Sequence, residues 1–390
     1  MDKKIENLIA FCQGIYNKEN GKMLYEKYLK EIESITPQEL FLIENEQLKM
    51  GMTTAQMLTF VDKLVNVFHK SLSSYSWDRP KEKGFLYFLM EENKALLKML
   101  DDFKDIIKSK NIVENRGKIY DFVIMLYEYN EHLLKLENIL FPYMEKKMER
   151  YEGLKIMWSL HDDTRKDLKR AIKMLEDKKT SDKEINIAIG QIYFKLNGLV
   201  QKQELIMFPA ATKIILEEEF EAMHLQSFDF GFPFIEKPDK LKISLKKLVI
   251  SNDIDDKAVF KTETGNLTYK QVELLINTLP VDVTFVDEND KVAFFSRPKD
   301  RIFPRSAAVI GRDVRNCHPP ESVHVVEEIM DSFKSGEKNS ASFWIKMKGM
   351  FILIQYFALK DEKGVYKGTL EVSQEISEIK RLKGEKRLLD

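Results

Sequence analysis

One short motif is written twice in this chain. Glu137-Asn138-Ile139-Leu140-Phe141-Pro142 and Glu204-Leu205-Ile206-Met207-Phe208-Pro209 share the pattern E-x-x-x-F-P, and Lys146 and Lys213 follow four residues past the prolines. Both copies lie in helical sequence, where a proline frees a backbone carbonyl and bends the axis. Two such helices in one domain restrict the fold to one that presents equivalent carboxylates across an internal repeat. Five residues before the glutamate, where a second metal ligand would sit, the first copy has His132 and the second has Leu199.

The surrounding sequence predicts four long helices, at roughly 85–108, 116–147, 154–178 and 183–217. Ser181 and Glu184 form a capping box that opens the last of them. Short connections between long amphipathic helices favour an up-down four-helix bundle, a fold that places metals in its core on inward His and Glu side chains. Residues 1–76 read as shorter helices. Thr36-Pro37-Gln38-Glu39 is a capping box with proline at the first helical position, and Gly51 with Thr53 marks a break and restart. Met57, Phe60, Val61, Leu64, Val67, Phe68 and Leu72 make an apolar stripe at helical spacing. His69 beside that stripe lacks convergent partners and is assigned no role.

Near residue 232 the pattern changes from long helices to short strands between turn residues. Pro233 and Pro238 begin a linker-like segment, 233–275. Ala258-Val259-Phe260-Lys261-Thr262 reads as a strand, Gly265-Asn266 as a turn, and Thr268 as the cap of a helix through Leu279. Strands are expected over Val281 to Val286 and Lys291 to Phe295. A helix at about 320–334 precedes three longer strands at about 341–348, 350–359 and 366–373. Glu375 to Leu389 reads as a short exit helix able to pack on a partner or a second copy.

Composition narrows the function classes. The 62 basic and 63 acidic residues nearly cancel, so bulk charge implies no nucleic-acid surface. Cys12 and Cys317 are too few for a disulfide framework and fit a reducing compartment. No signal-type run opens the chain. The apolar stretch around Met350 to Leu359 is interrupted by Gln355 and too short to span a bilayer. These features predict a cytoplasmic protein with neither nucleic acid nor membrane among its partners. No Ser-His-Asp set, phosphate loop or dinucleotide fingerprint is present, so the chain is not read as an enzyme.

His132-Leu133-Leu134-Lys135-Leu136-Glu137-Asn138-Ile139-Leu140-Phe141-Pro142 resembles the H-x-x-x-x-E-N-x-L-F-P segment of the hemerythrin-like (HHE cation-binding) family. Met157-Trp158-Ser159-Leu160-His161-Asp162-Asp163 is similar to that family's M-W-x-x-H-D-E segment. The resemblance implies iron, with His132, Glu137, His161 and Glu204 at ligand positions. It also exposes two departures: Gly84-Phe85-Leu86-Tyr87 stands before Glu92-Asn93 where relatives carry histidines, and Leu199 stands at the second-repeat histidine position. The remaining set could hold one metal or a poorer pair, with Tyr87, Gln201 or Gln203 as extra oxygen donors. Alternatively, the retained groups hydrogen-bond one another in a metal-free core, the glutamates pairing with His132 and His161. A buried carboxylate with neither metal nor partner is too costly to be left alone.

Leu279-Pro280-Val281-Asp282-Val283-Thr284-Phe285-Val286-Asp287 resembles the opening strand of a PAS domain, and the element order agrees over Pro280 to Ile379. A PAS fold implies a helix-covered pocket but does not name its ligand. Asn316-Cys317-His318-Pro319-Pro320-Glu321-Ser322-Val323-His324 lies where PAS domains that bind haem or flavin make ligand contacts. Cys317, His318 and His324 are therefore the candidate ligand-binding residues, for haem or another small ligand. Helical spacing puts Val323, Val326, Met330 and Phe333 on the inward face and His324 on a different one.

The predicted fold class is multidomain: an all-α N-terminal module (1–76) and a hemerythrin-like four-helix bundle (77–232), then the linker (233–275) and an α+β PAS domain with a five-stranded antiparallel sheet and exit helix (276–390). The expected function is a ligand-, redox- or gas-sensing adaptor with no output enzyme domain, acting through a signalling partner protein or as a homodimer. Two alternatives remain open at this stage: a non-haem iron protein that binds oxygen or nitric oxide or assists iron-centre repair, and a structural scaffold with empty sites.

Overall fold

The computed structural model describes residues 2–80, 82–108, 112–148, 152–239 and 259–385. The chain divides into two compact units, Met1–Lys242 and Ile243–Asp390. Residues 240–258 of the expected linker and the end of the expected exit helix, 386–389, lie outside the described residues.

In the first unit, α1 (Lys3–Tyr16), α2 (Gly21–Lys27), α3 (Leu29–Ile32), α4 (Pro37–Lys49), α5 (Thr54–Leu58) and α6 (Val61–Ser74) make the N-terminal module. The capping boxes at Thr36 and Thr53 both form. The bundle follows as α7 (Phe85–Lys108), α8 (Ile112–Tyr127), α9 (Asn130–Lys135), α10 (Phe141–Lys147), α11 (Gly153–Glu176), α12 (Asp182–Lys202) and α13 (Phe208–Ile214), with α14 (Glu217–Ser227) packed on α7. Ser181 caps α12 with Glu184, as its spacing predicts.

The kinks expected at Phe-Pro prove to be π turns, Leu136–Leu140 and Gln203–Met207, one in each copy of the repeat. Phe141 N–H donates to Leu136 O and Phe208 N–H donates to Gln203 O, one residue wider than an α turn. A π turn inserts a residue into the helical register and often marks a functional position. Here it re-aims Glu137 and Glu204, the second residue of each wide turn.

Two apolar clusters stack along this unit. One joins Leu8, Phe11, Ile43 and Phe68 of the N-terminal helices to Phe141, Phe208 and Leu199 of the bundle, so module and bundle share a core. The other holds Leu96, Val123, Leu168 and Leu196. Leu89 belongs to the first and Leu96 to the second, and α7 carries Glu92 and Asn93 between them. A buried polar layer thus separates two hydrophobic ones.

In the second unit a hairpin, β1 (Val259–Thr262) with β2 (Gly265–Thr268), leads into α15 (Tyr269–Thr278), capped by Thr268 as expected. The strands β3 (Asp282–Asp287), β4 (Val292–Phe295), β5 (Ser340–Met347), β6 (Met350–Lys360) and β7 (Tyr366–Glu375) form one antiparallel sheet in the order β4-β3-β7-β6-β5. Helix α16 (Pro320–Ser335) packs on β7 and stops at Gly336, whose φ of 80° supplies a left-handed cap. Its Met330 and Phe333 are buried, Met330 in a cluster with Val286, Val292 and Val309. The exit helix is a short α17 (Ser377–Arg381). No helix among the described residues is long and apolar enough to cross a membrane.

Candidate functional site

The polar layer of the bundle contains His132 and both glutamates of the doubled motif. His132 is fully buried; its Nδ1 lies 2.8 Å from Glu92 Oε2 and its Nε2 lies 3.0 Å from the Gln203 side-chain amide. Glu92 Oε1 accepts a hydrogen bond from the ammonium of Lys135, which is 1% exposed and sits 4.2 Å above the Phe232 ring. Tyr129 stacks on His132, with its hydroxyl 2.7 Å from Asn93 Oδ1 and 3.2 Å from the Gln203 amide. Asn93 Nδ2 in turn donates to Glu204 Oε1 at 3.0 Å.

Proton counting fixes the polarity of this chain. Burial lowers the basicity of His132, although Glu92 works the other way, so the ring is neutral and carries one proton, on Nδ1 facing Glu92. Nε2 then requires a donor, which the Gln203 amide provides when its NH2 faces the ring, an orientation set by the network rather than by the heavy atoms. The same NH2 serves the Tyr129 oxygen, leaving that hydroxyl to donate to Asn93. Both nitrogens of His132 and both oxygens of Glu92 are thereby used within the protein.

The other half of the layer is built on Glu137 and His161. His161 Nδ1 lies 2.8 Å from Glu137 Oε1, and Arg165 Nη2 lies 2.8 Å from each Glu137 oxygen. Arg165 also donates to Asn130 Oδ1 at 2.7 Å and Asp162 Oδ1 at 2.9 Å. Burial alone would raise the Glu137 carboxyl, but Arg165 and His161 outweigh it and hold the group below its ordinary range. Asp162 is pushed up to about 6, chiefly by burial. His161 Nε2 is buried without a hydrogen-bond partner.

The four expected ligands therefore divide between two networks: His132 and Glu204 belong to one, Glu137 and His161 to the other. Of the pairings expected in a metal-free core, Glu137 with His161 forms, whereas His132 takes Glu92 and Glu204 takes Asn93. Of the extra donors, Gln203 is inside the network, Gln201 is exposed, and Tyr87 packs edge-on against Phe88. Among the described residues no three His, Cys, Asp or Glu side chains converge as a metal set. The chemistry agrees with the geometry, because an iron pair would have to enter beside the Lys135 and Arg165 cations and displace both from their carboxylates. This donor set does not fit an iron pair; within it the one open imidazole nitrogen is His161 Nε2, while outside it both ring nitrogens of His224 on α14 are also buried without a hydrogen-bond partner.

Sequence reasoning missed Glu92, Lys135 and Arg165. One signal was available: both copies of the repeat read K-x-E, with Lys135 before Glu137 and Lys202 before Glu204. Lys202 is also buried, and its ammonium reaches Asp62 of α6 at 2.6 Å.

In the second unit the three expected ligand residues do not converge. His324 is exposed on α16, as its helical position predicts. Cys317 Sγ faces Asp313 O at 3.7 Å. His318 Nδ1 donates to Val314 O at 2.8 Å, and burial lowers its basicity.

Residues 85–211 match the family described as hemerythrin HHE cation binding domain, and residues 272–377 match a PAS domain family. The chain thus carries a hemerythrin HHE domain followed by a PAS domain. Similar solved structures include a C-terminal domain from Streptococcus mutans, at 27% identity over 33% of this chain and 100% of that one, with a TM-score of 0.32. A PAS domain from Colwellia psychrerythraea is 16% identical over 28% of this chain and 97% of its own, TM-score 0.24. A sensory box sensor histidine kinase from Vibrio cholerae is 14% identical over 27% and 90%, TM-score 0.22. No curated protein matches the chain.

Proposed function

We propose that the chain is a sensor-type adaptor in which the PAS domain takes a small ligand and the hemerythrin domain is a metal-free, ion-paired bundle. The observation that carries this reading is the occupation of the bundle's carboxylates by side-chain cations: Lys135 on Glu92 and Arg165 across both oxygens of Glu137. A metal centre in such a bundle supplies positive charge to inward carboxylates; here the chain supplies it covalently. The polar layer then fixes helix register instead of binding oxygen or nitric oxide, and the N-terminal helices are locked to it through the shared core. Two free thiols, one fully buried at Cys12, favour a cytoplasmic setting.

A signal read by the PAS domain leaves through association. Leu274 and Leu275 of α15 and Leu279 just beyond it are about half exposed, an apolar surface suited to a second copy or a partner helix. The adaptor reading requires no reaction on the chain.

Metal analysis of the full chain, purified anaerobically after growth with added iron, tests the bundle reading. Less than about a tenth of an equivalent of iron, manganese or zinc is expected. About one equivalent of iron, lost in His161→Ala, would overturn it and favour a mononuclear site on His161 Nε2.

A further inference from the structure

The inner face of the PAS sheet is unusually polar where it crosses the middle strands. Tyr356 of β6, Glu371 of β7 and Thr284 of β3 are direct cross-strand partners and so share one face in a row. The next row pairs Ile354, Ser373 and Asp282. Above these rows lie two arginines from the segment between β4 and α16. Arg301 donates to Thr284 Oγ1 at 3.4 Å and faces Asp282 at 3.8 Å. Arg305 reaches Glu371 Oε2 at only 3.4 Å, a loose pair, although its side chain is 11% exposed. Its Nε is buried with no hydrogen-bond partner at all.

A buried guanidinium N–H left without an acceptor is costly, so its retention calls for a partner that arrives from outside. Space for one is indicated by the residues around it. Val323 of α16 is only half-buried, and so is Tyr356, whose ring lies 5.8 Å from and tilted against that of Phe343, 38% exposed. Tyr356 and Phe343 share the sheet face that carries Glu371 and stay in contact with solvent. Val326 of α16, by contrast, packs on the apolar cluster around Val286, Val292 and Val309.

We propose that this face of the sheet binds a small monocarboxylate, its carboxylate bridging Arg305 Nε and Nη2 and the Tyr356 hydroxyl, its aliphatic part lying against Phe343. Guanidinium geometry suits two parallel bonds to a carboxylate, and Arg305 offers that edge once its long contact to Glu371 gives way. Burial, with Glu371 beside it, keeps the Tyr356 phenol protonated and hence a donor. His318, neutral through burial and tied by Nδ1 to Val314 O, presents Nε2 as an acceptor near the same group of charges. The inference rests on the reading of the PAS domain as the ligand-taking part of the chain.

The test uses the full chain with butyrate, its uncharged isostere butyramide, inorganic phosphate and leucine, followed by titration calorimetry and by the thermal transition of the domain. Butyrate is expected to bind and to raise the transition, while butyramide and phosphate do not. Arg305→Gln should weaken butyrate by about tenfold or more, and Tyr356→Phe by less. Circular dichroism shows whether each variant is folded; should Arg305→Gln fail to fold, Tyr356→Phe decides by the same criterion, a severalfold loss for butyrate and none for butyramide. Equal binding of butyrate and butyramide, or butyrate binding unchanged in the folded variants, overturns the carboxylate inference. Binding of butyramide or leucine alone also overturns it but leaves the PAS domain a ligand-taking one, and the iron content that tests the bundle is unaffected by either result.

Discussion

Lys135 and Glu92 offer the sharpest test of the ion-paired bundle. Both side chains are essentially fully buried, at 1% and 0% exposure, so neither can recover water when its partner is removed. Lys135→Met keeps the length and packing of the stem, including its seat on Phe232, and leaves the buried Glu92 side chain with only His132 Nδ1 to hold it. Breaking a buried pair in this way costs about 3–5 kcal/mol. Glu92→Gln should cost less, because burial already lowers the basicity of Lys135 and the stranded amine can shed its proton. The double variant removes both charges while a Gln at 92 still accepts from His132, so it should lie above the sum of the singles by about 2 kcal/mol or more. The assay is urea unfolding of the full chain followed by far-ultraviolet circular dichroism, which the helices of the first unit dominate. Additive losses, with a coupling below about 0.5 kcal/mol, would refute the pair as the element that neutralises this layer.

Glu44 on α4 is 8% exposed and pushed up to about 8, chiefly by burial, although Lys202 works against it. A raised carboxyl gives stability that is present below its unfolded value near 4.5 and lost as pH rises through 8. Glu44→Gln should therefore gain on the parent by about 3 kcal/mol between pH 5 and pH 8 in urea titrations, and a constant difference would contradict the buried acid. Arg165→Leu has the opposite sign. Glu137, held low by Arg165, contributes stability above about pH 4.5 that is lost as pH falls through its native value, so the variant should trail the parent by about 3 kcal/mol at neutral pH and by less near pH 4. In the PAS sheet Gly368 has φ 140°, and an added Cβ would lie 2.3 Å from Val286 O. Gly368→Ala should cost that domain about 3 kcal/mol, read as loss of its thermal transition at unchanged first-unit helicity.

The fold was legible because its two halves differ in period. Long 3.6-residue stripes with caps at Thr36, Ser181 and Thr268 place the helices, and alternation between turn residues places the five strands. What the pattern did not give was the width of the turns before Pro142 and Pro209. A π turn changes no residue type, only which carbonyl Phe141 and Phe208 reach. The same limit applies to the site. Glu137 and His161 could be named from a local motif, but their counter-charges could not, since Lys and Arg ordinarily face water. Arg165 stands one turn after His161, and Lys135 one turn after His132, so each cation occupies the same helix face as the histidine it accompanies. Glu92 lies on another helix, 43 residues from Lys135, and no local periodicity links the two.

Comparing the two copies of the repeat shows what became of their equivalence. K-x-E is retained in both, and both lysines are buried, but they are spent on different partners. Lys135 turns to Glu92 inside the bundle, where His132 shares the carboxylate; Lys202 turns to Asp62 of α6 and lies beside Glu44 of α4. The second copy has Leu199 where the first has His132, and that leucine is fully buried in the core shared with the N-terminal helices. A histidine there would bring a polar ring into that core at a cost of roughly 1–3 kcal/mol unless it found a partner. The asymmetry follows the packing: one half of the repeat neutralises the polar layer, and the other places a leucine where it packs against the N-terminal module.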